Sequence, residues 1–201
     1  MNEKLNGVLI PAGRPFSFNN MLGGPVLQST GWSMALGIFE GENLRPVPGG
    51  GICQASTTLY RAILQAGLPV HERRAHSLYV TYYKAHGVGI DATIFPGNQD
   101  LVFTNDTSAP ILLHSFTDGD DATAELYGIS DGRTVELAGP YFQQNAPEGL
   151  TVRSREIAWL QQIHTAGGQT ITNTVLSRYK TLPRALHAEF SQPQAITVTM
   201  R

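Results

Sequence analysis

The residue best suited to chemistry in this 201-residue chain is Cys53, its only cysteine. It follows Gly49, Gly50 and Gly51 and stands at the start of a segment with helical periodicity. In the first turn of a helix, amide groups and the positive end of the helix dipole favour the thiolate, which is the nucleophilic form of cysteine. The glycines would let a substrate carbonyl approach the backbone closely, so that amides near Gly50 and Gly51 stabilise an oxyanion. The alternative, a cysteine that only fills the core, leaves the glycines unexplained.

Cys53 requires a base within hydrogen-bond reach, and the base requires a group that orients it. The helix dipole contributes about 0.3–1 kcal/mol at exposed sites, less than one pKa unit, so a histidine must supply the rest of the activation. We predict His76 as this base and Asp91 as its partner, because they start two neighbouring expected strands. His71 is the rival base, and His114 is interpreted as structural. Asp91 could alternatively cap a turn.

Several polar residues near these positions are candidates for substrate binding. Gln54, Ser56 and Thr57 follow the cysteine on the predicted helix, where they would line the cleft or bond to the preceding helical turn. Arg73 or Arg74, just before the predicted base, could hold a substrate carboxylate in a bidentate pair, or lie on a solvated strand edge. We take Arg73 as the candidate for the carboxylate.

Composition excludes several other classes of function. No set of histidine and acidic residues in the sequence has the spacing of metal ligands, and the glycine loop lacks the lysine of a phosphate-binding loop. We therefore expect neither a metal nor a cofactor. The net charge of -2 gives no reason to expect nucleic acid as a partner, and no apolar run is long enough to span a bilayer. The amino terminus does not resemble a signal peptide, which leaves a cytoplasmic location open. A lone cysteine leaves the redox compartment open, and the oligomeric state is also open.

The elements that must position these residues are a helix and four strands. Apolar and small residues recur at spacings of three and four from Ile52 to Ala66, and Gly67 ends the pattern. We predict an α+β fold in which this central helix carries Cys53 at its N-terminus and packs on an antiparallel sheet. The order cysteine, histidine, aspartate on helix, strand, strand is similar to that of transglutaminase-like and papain-like thiol enzymes. The expected strands are 76–83, 90–95, 101–105 and 111–116.

The composition changes after residue 132, which predicts a domain boundary. We expect a first domain over 1–132 and a small β-rich appendage of low chemical content over 133–201. Within the appendage, strands are expected around 156–164 and 170–179, with Gly167 and Gly168 in the turn between them.

Three segments around these candidate residues together resemble the VanW family, and the resemblance extends over roughly residues 5 to 130. Their sequences are GGGICQASTTLY at 49–60, RRAHS at 73–77 and DAT at 91–93. Further segments that fit the same family are LNG at 5–7, FSFN at 16–19 and FTNDTSAP at 103–110.

The resemblance implies a bacterial cell-envelope protein from a family named after vancomycin-resistance clusters. Some members are implicated as peptidoglycan L,D-transpeptidases that use the motif cysteine. It therefore implies that Cys53 is the nucleophile, that His76 is its base, and that peptidoglycan stem peptides are the partner, outside the cytoplasm. If water resolves the intermediate, the same site would be a thiol peptidase or carboxypeptidase. A non-catalytic envelope-binding module is the alternative from a different class.

Overall fold

The computed structural model describes residues 2–39, 43–119, 121–183 and 185–199. Its fold is α+β, with few helices and antiparallel sheets. The chain groups into two compact units. The first comprises Met1–Leu64, Leu68–Arg74 and Ala92–Ile129, and the second comprises Gln65–Gly67, Ala75–Asp91 and Ser130–Arg201.

One helix is much longer than the others that the structure describes. The α-helices are α1 (Asn2–Leu5), α2 (Phe18–Leu22), α3 (Ile52–Ala66) and α4 (Ala185–Glu189), and short 3-10 helices span Gln28–Thr30 and Thr81–His86. The apolar face of α3 expected from its periodicity is buried, and Leu59 and Ile63 are fully inaccessible to solvent. Gly67 follows α3 with φ +65°, the left-handed conformation that commonly ends a helix. No helix in the described ranges is long and apolar enough to cross a membrane.

The strands vary in length, and the two longest have nine residues each. In chain order they are β1 (Val8–Ile10), β2 (Pro15–Ser17), β3 (Met34–Phe39), β4 (Asn43–Pro48), β5 (Val70–Glu72), β6 (Val102–Thr104), β7 (Ile111–Asp118), β8 (Asp121–Tyr127), β9 (Thr134–Tyr141), β10 (Glu156–His164), β11 (Thr170–Arg178) and β12 (Gln194–Thr199).

Three small antiparallel sheets belong to the first unit. Their strand orders are β1-β7-β8, β2-β6-β5 and β3-β4. Phe18, Phe103 and Leu113 are fully buried, so helix α2, strand β6 and strand β7 each contribute a side chain to the interior of this unit. This is the unit that contains Cys53.

A single four-stranded antiparallel sheet, in the order β11-β10-β9-β12, forms most of the second unit. The β10–β11 hairpin pairs in continuous register from Glu156 with Arg178 to His164 with Thr170, around the predicted glycine turn. Trp159 on β10 is 1% exposed, and a second apolar cluster contains Tyr141, Val152 and Ala158. The two strands predicted for this hairpin are therefore present within a residue or so of their expected ends.

The sheet predicted beneath the helix is not formed. Phe103 lies in β6 and Leu113 in β7, which belong to different sheets. Val80 and Thr93 lie outside all strands, so the predictions of strands over 76–83 and 90–95 were wrong. Residues 76–80 have irregular backbone and run into the 3-10 helix Thr81–His86.

The reason lies in the hydrogen bonds that the backbone of this region makes. Asp91 accepts the backbone N–H of His76, and Ala92 bonds through both of its backbone groups to the side chain of Thr57. Thr93 N–H donates to the carbonyl of Arg74 over 2.8 Å. Side chains and isolated backbone contacts thus satisfy the backbone N–H and carbonyl groups that would otherwise pair with a neighbouring strand. The tertiary contacts therefore outweigh the strand propensity of the aromatic and β-branched residues.

Candidate active site

Cys53 is the second residue of α3 and is half-buried. Its sulfur lies 3.6 Å from Thr93 Oγ1, and the Ile94 N–H points at it over 3.5 Å. The Ile94 carbonyl, 3.7 Å away, can accept the thiol proton. The sulfur thus has an acceptor for the thiol form and two groups able to donate to the thiolate form, and such donors favour the charged state.

Two buried hydroxyl groups of α3 hold the backbone that contacts this sulfur. Ser56 Oγ donates to the Ala92 carbonyl over 2.6 Å. Thr57 Oγ1 accepts the Ala92 N–H at 3.1 Å and lies 3.2 Å from the same carbonyl. Since Ser56 is 0% and Thr57 1% exposed, both hydroxyls are engaged inside the protein and position Thr93 rather than facing a cleft.

The glycines before Cys53 have different environments. A Cβ on Gly50 would lie 2.3 Å from the Ala35 carbonyl oxygen, so Gly50 is required for close packing against the backbone of β3. A Cβ on Gly51 would meet nothing within 4 Å. Gly51 and Gln54 line a cleft of about 860 Å³ in the first unit, which leaves room for a ligand backbone beside the start of α3. Trp32 lines the same cleft.

Arg73 follows β5, and its guanidinium carbon lies 4.8 Å from the ring centroid of Tyr60 on α3. This distance is typical of a cation–π contact, and the Tyr60 ring is buried. Part of the Arg73 guanidinium is therefore engaged with an aromatic face within the first unit.

The predicted base and its partner form a buried hydrogen-bonded pair in the second unit. His76 Nδ1 lies 2.6 Å from Asp91 Oδ2, and the His76 backbone N–H donates to the same oxygen over 2.8 Å. His76 is 6% exposed and Asp91 3%. A carboxylate at Nδ1 fixes the tautomer with its proton on Nδ1, which leaves Nε2 as the basic nitrogen.

A third member of this cluster escaped the sequence analysis, which assigned no site residue after 132. The Tyr179 hydroxyl donates to Asp91 Oδ1, the carboxylate oxygen that does not face His76. The Tyr179 ring packs edge-on against Tyr79, at 5.8 Å between centroids. Burial and the nearby Glu189 and Asp91 carboxylates raise the pKa of Tyr79, so this neighbour stays protonated. Nothing in the sequence pattern links a tyrosine to an aspartate 88 residues earlier, so no signal could have found it.

The C-terminal strands also hold the segment that carries His76 and Asp91. Trp159 Nε1 donates to the Val88 carbonyl over 2.7 Å, and Ser177 Oγ donates to the Gly89 carbonyl over 2.6 Å. The Lys180 N–H donates to the Ser77 carbonyl over 2.8 Å. These bonds fix both ends of the 77–89 segment, which lies between His76 and Asp91 in the chain.

The other histidines considered as bases have different partners. His71 Nε2 lies 2.7 Å from Thr104 Oγ1 on an exposed surface, and His114 Nδ1 lies 3.0 Å from the half-exposed Glu125. Neither imidazole is held by a buried carboxylate. Across the described ranges, no group of three or more potential ligands could hold a metal ion.

Comparison with known proteins adds an independent finding. The family model of VanW like protein matches residues 1–127. The chain is 37% identical over 122 residues to the uncharacterized protein YoaR of Bacillus subtilis (strain 168), covering 61% of this chain and 38% of that protein. It is 29% identical over 150 residues to the vancomycin B-type resistance protein VanW of Enterococcus faecalis (strain ATCC 700802 / V583), covering 74% of this chain and 48% of that one.

The chain thus spans less than half the length of either relative. No solved structure matches it. The matched region includes α3, the 73–77 segment and the 91–93 segment, and it ends at the last residue of β8. Because the family model covers well over half of the residues, the chain belongs to the VanW-like protein family.

Proposed function

We propose that this protein is a cysteine-dependent acyltransferase in which Cys53 is the nucleophile, His76 the base and Asp91 the group that orients the base. The observation that carries the proposal is the buried His76–Asp91 pair, with 2.6 Å between Nδ1 and Oδ2. In cysteine and serine triads, an imidazole held by a carboxylate at Nδ1 accepts the proton of the nucleophile at Nε2. What remains of the analogy with transglutaminase-like and papain-like enzymes is the order of cysteine, histidine and aspartate along the chain.

The connectivity of the chain supports the assignment. Asp91 lies two residues before Thr93 in the chain, and the Thr93 hydroxyl contacts the cysteine sulfur. His76 lies two residues after Arg74, and the Arg74 carbonyl accepts the Thr93 N–H. His76 and Asp91 are therefore each close in sequence to one of two residues, Arg74 and Thr93, that are hydrogen-bonded to each other. Of these two, Thr93 contacts Cys53.

Membership of the family supports a proposal for the substrate class. One relative is named a vancomycin B-type resistance protein, and the resemblance of the sequence motifs to the VanW family implies L,D-transpeptidase chemistry on peptidoglycan. We propose peptidoglycan stem peptides as the substrate and the cell envelope as the place of action. Gly51 and Gln54, on the wall of the 860 Å³ cleft, would contact the peptide backbone.

The proposed reaction proceeds in two balanced halves. The Cys53 thiolate attacks the carbonyl of the diamino acid residue in a tetrapeptide stem, while backbone N–H groups near Gly51 stabilise the oxyanion. The carbon–nitrogen bond to the terminal D-alanine breaks, and His76 gives its proton to the leaving amine. A side-chain amine of a second stem then attacks the thioester, gives a proton to His76 and forms a new amide, which releases the Cys53 thiolate.

Incubation of the full chain with purified tetrapeptide muropeptides, followed by mass spectrometry, tests this proposal. We expect cross-linked dimers that have lost one D-alanine, none with Cys53→Ala, and normal turnover with the matched control His114→Ala. Products that have lost D-alanine and gained water, without cross-links, would instead establish the carboxypeptidase alternative. Tight binding of muropeptides without any Cys53-dependent product would favour the envelope-binding module.

A further inference from the structure

We infer that Tyr179 is a positioning residue for the proposed base, so that a residue outside the family-matched region orients the His76–Asp91 pair. The inference rests on the proposed function for its effect on catalysis, but its effect on the His76–Asp91 pair can be measured separately. The matched family region ends at residue 127, whereas Tyr179 directly follows β11.

The geometry at Asp91 leads to this role. Its carboxylate is 3% exposed, and a buried carboxylate must be satisfied by donors. Both donors from His76 reach the same oxygen, Oδ2, whereas the Tyr179 hydroxyl reaches Oδ1. Donors at both oxygens fix the rotation of the carboxylate about its Cβ–Cγ bond. Without the tyrosine donor, the carboxylate loses a partner at Oδ1 and one of the hydrogen bonds that keep Oδ2 directed at the imidazole.

Tyr179 is itself held in place by hydrogen bonding and burial. Its backbone N–H donates to the Arg155 carbonyl over 3.0 Å, and the side chain is 3% exposed. Ser177, two residues before Tyr179, and Lys180, directly after it, bond to the segment that carries His76 and Asp91, over 2.6 Å and 2.8 Å respectively. A buried tyrosine whose backbone and chain neighbours are hydrogen-bonded in this way can set the orientation of a carboxylate through its hydroxyl.

The variant Tyr179→Phe removes only the hydroxyl, and Tyr141→Phe is its matched control. Tyr141 is a buried tyrosine on β9 of the same sheet and packs in an apolar cluster with Val152 and Ala158. The first readout is the His76 ring, by ¹⁵N and ¹H NMR. We expect one Nδ1-protonated tautomer and a sharp, downfield Nδ1 proton in the unmodified protein and in Tyr141→Phe. We expect mixed tautomers and a broadened Nδ1 proton in Tyr179→Phe.

The second readout is muropeptide turnover, where Tyr179→Phe should lower kcat about tenfold and leave KM unchanged, as expected for a lost hydrogen bond to a charged group. Replacing Tyr179 with 3-fluorotyrosine keeps the fold if the phenylalanine variant does not form. Its more acidic hydroxyl should displace the Nδ1 proton signal without broadening it.

The two readouts separate the inference from the proposed function. A His76 spectrum that responds to Tyr179→Phe, in a protein without turnover, keeps the positioning role and rejects the reaction. Turnover in the unmodified protein, together with a His76 spectrum and a kcat that do not respond to Tyr179→Phe or to 3-fluorotyrosine, rejects the positioning role alone.

Discussion

At the scale of single residues, the sulfur of Cys53 lies near groups that can hydrogen-bond to both its thiol and its thiolate form. Thr93 can accept a hydrogen bond from the thiol or donate one to the thiolate, and the Ile94 amide can only donate. Hydrogen-bond donors of this kind lower the free-energy cost of ionising the thiol. The role of Thr93 can therefore be isolated by a change that keeps its shape.

Replacement of Thr93 by valine removes the hydroxyl and preserves the side-chain volume. Because a hydrogen bond to the charged form favours that form, the pH of half-maximal alkylation of Cys53 should rise by about half a unit. The measurement is the rate of iodoacetamide modification against pH. Thr58→Val is the control, since Thr58 bonds to the Gln54 carbonyl of its own helix. An unchanged midpoint would show that the 3.6 Å contact does not act on the thiolate.

Substitutions in the buried pair should have graded effects on muropeptide turnover. His76→Ala should lower the rate about a hundredfold or more, because the general base is lost. Asp91→Asn should lower it less, because the imidazole remains but its tautomer is no longer fixed. The measurement is the initial rate of D-alanine release, with His71→Ala as control. A loss with His71→Ala as large as with His76→Ala would move the role of the base to His71.

Residue types and positions led to the prediction of Cys53, His76 and Asp91 as site residues, and the structure places the last two 2.6 Å apart. The roles of Ser56 and Thr57 could not be inferred, because their partner is the backbone of Ala92, some 35 residues later in the chain. Sequence patterns carry side-chain chemistry, whereas a hydrogen bond to a distant backbone depends on the tertiary path of the chain.

At the scale of elements, hydroxyl groups of α3 bond to the backbone of Ala92, in a segment that was expected to form a strand. Thr57 is the more important of the two hydroxyls because it serves both the N–H and the carbonyl of Ala92. A buried N–H left without its acceptor costs about 1–3 kcal/mol. The stability of the first unit should therefore depend on this single side chain.

Thr57→Val should lower the free energy of unfolding by about 1–3 kcal/mol, measured by urea denaturation. Ser56→Ala should cost less, because the Ala92 carbonyl keeps Thr57 as a donor. Thr58→Val, on the same helix but half-buried, serves as the control with a small effect. Equal stability of Thr57→Val and Thr58→Val would contradict the proposed role of Thr57.

Elements with strong periodicity could be predicted, and those shaped by tertiary bonds could not. Helix α3 has bounds that follow directly from its 3.6-residue pattern and from Gly67, and the β10–β11 hairpin follows from its glycine turn. The 76–83 segment contains strand-forming residues but becomes irregular backbone and a 3-10 helix, because its polar groups bond to Asp91 and to Lys180. Strand propensity describes a favourable fit to a sheet and does not create one.

At the scale of the whole molecule, the segment that bears His76 and Asp91 depends on the C-terminal sheet, so the stability of that sheet matters for the proposed reaction. Glu156, at the start of β10, is 3% exposed. Burial alone would raise the pKa of its carboxyl, but the Arg153 amide and the Arg178 guanidinium outweigh burial and lower it. A carboxyl with a lowered folded-state pKa stabilises the fold above its ordinary value of about 4.3, and this stability is lost as the pH falls.

The melting temperature should therefore fall steeply as the pH drops below about 4.3, followed by circular dichroism. Glu156→Gln should be less stable at neutral pH and should lose part of this acid dependence, because its amide no longer titrates. Glu136→Gln, at a half-exposed position on β9, is the matched control and should keep the full dependence. A pH dependence that is identical in Glu156→Gln and the unmodified protein would exclude Glu156 as a source of acid sensitivity.

The central claim is that Cys53 is an activated nucleophile, and the pH profile of its alkylation tests this most directly. The thiol is the only one in the chain, so intact-protein mass spectrometry reports its modification without ambiguity. We predict a half-maximal rate at a pH below about 8.5, the ordinary value for cysteine, and a midpoint that rises in His76→Ala. A midpoint at or above about 8.5 that does not change in His76→Ala would contradict the account.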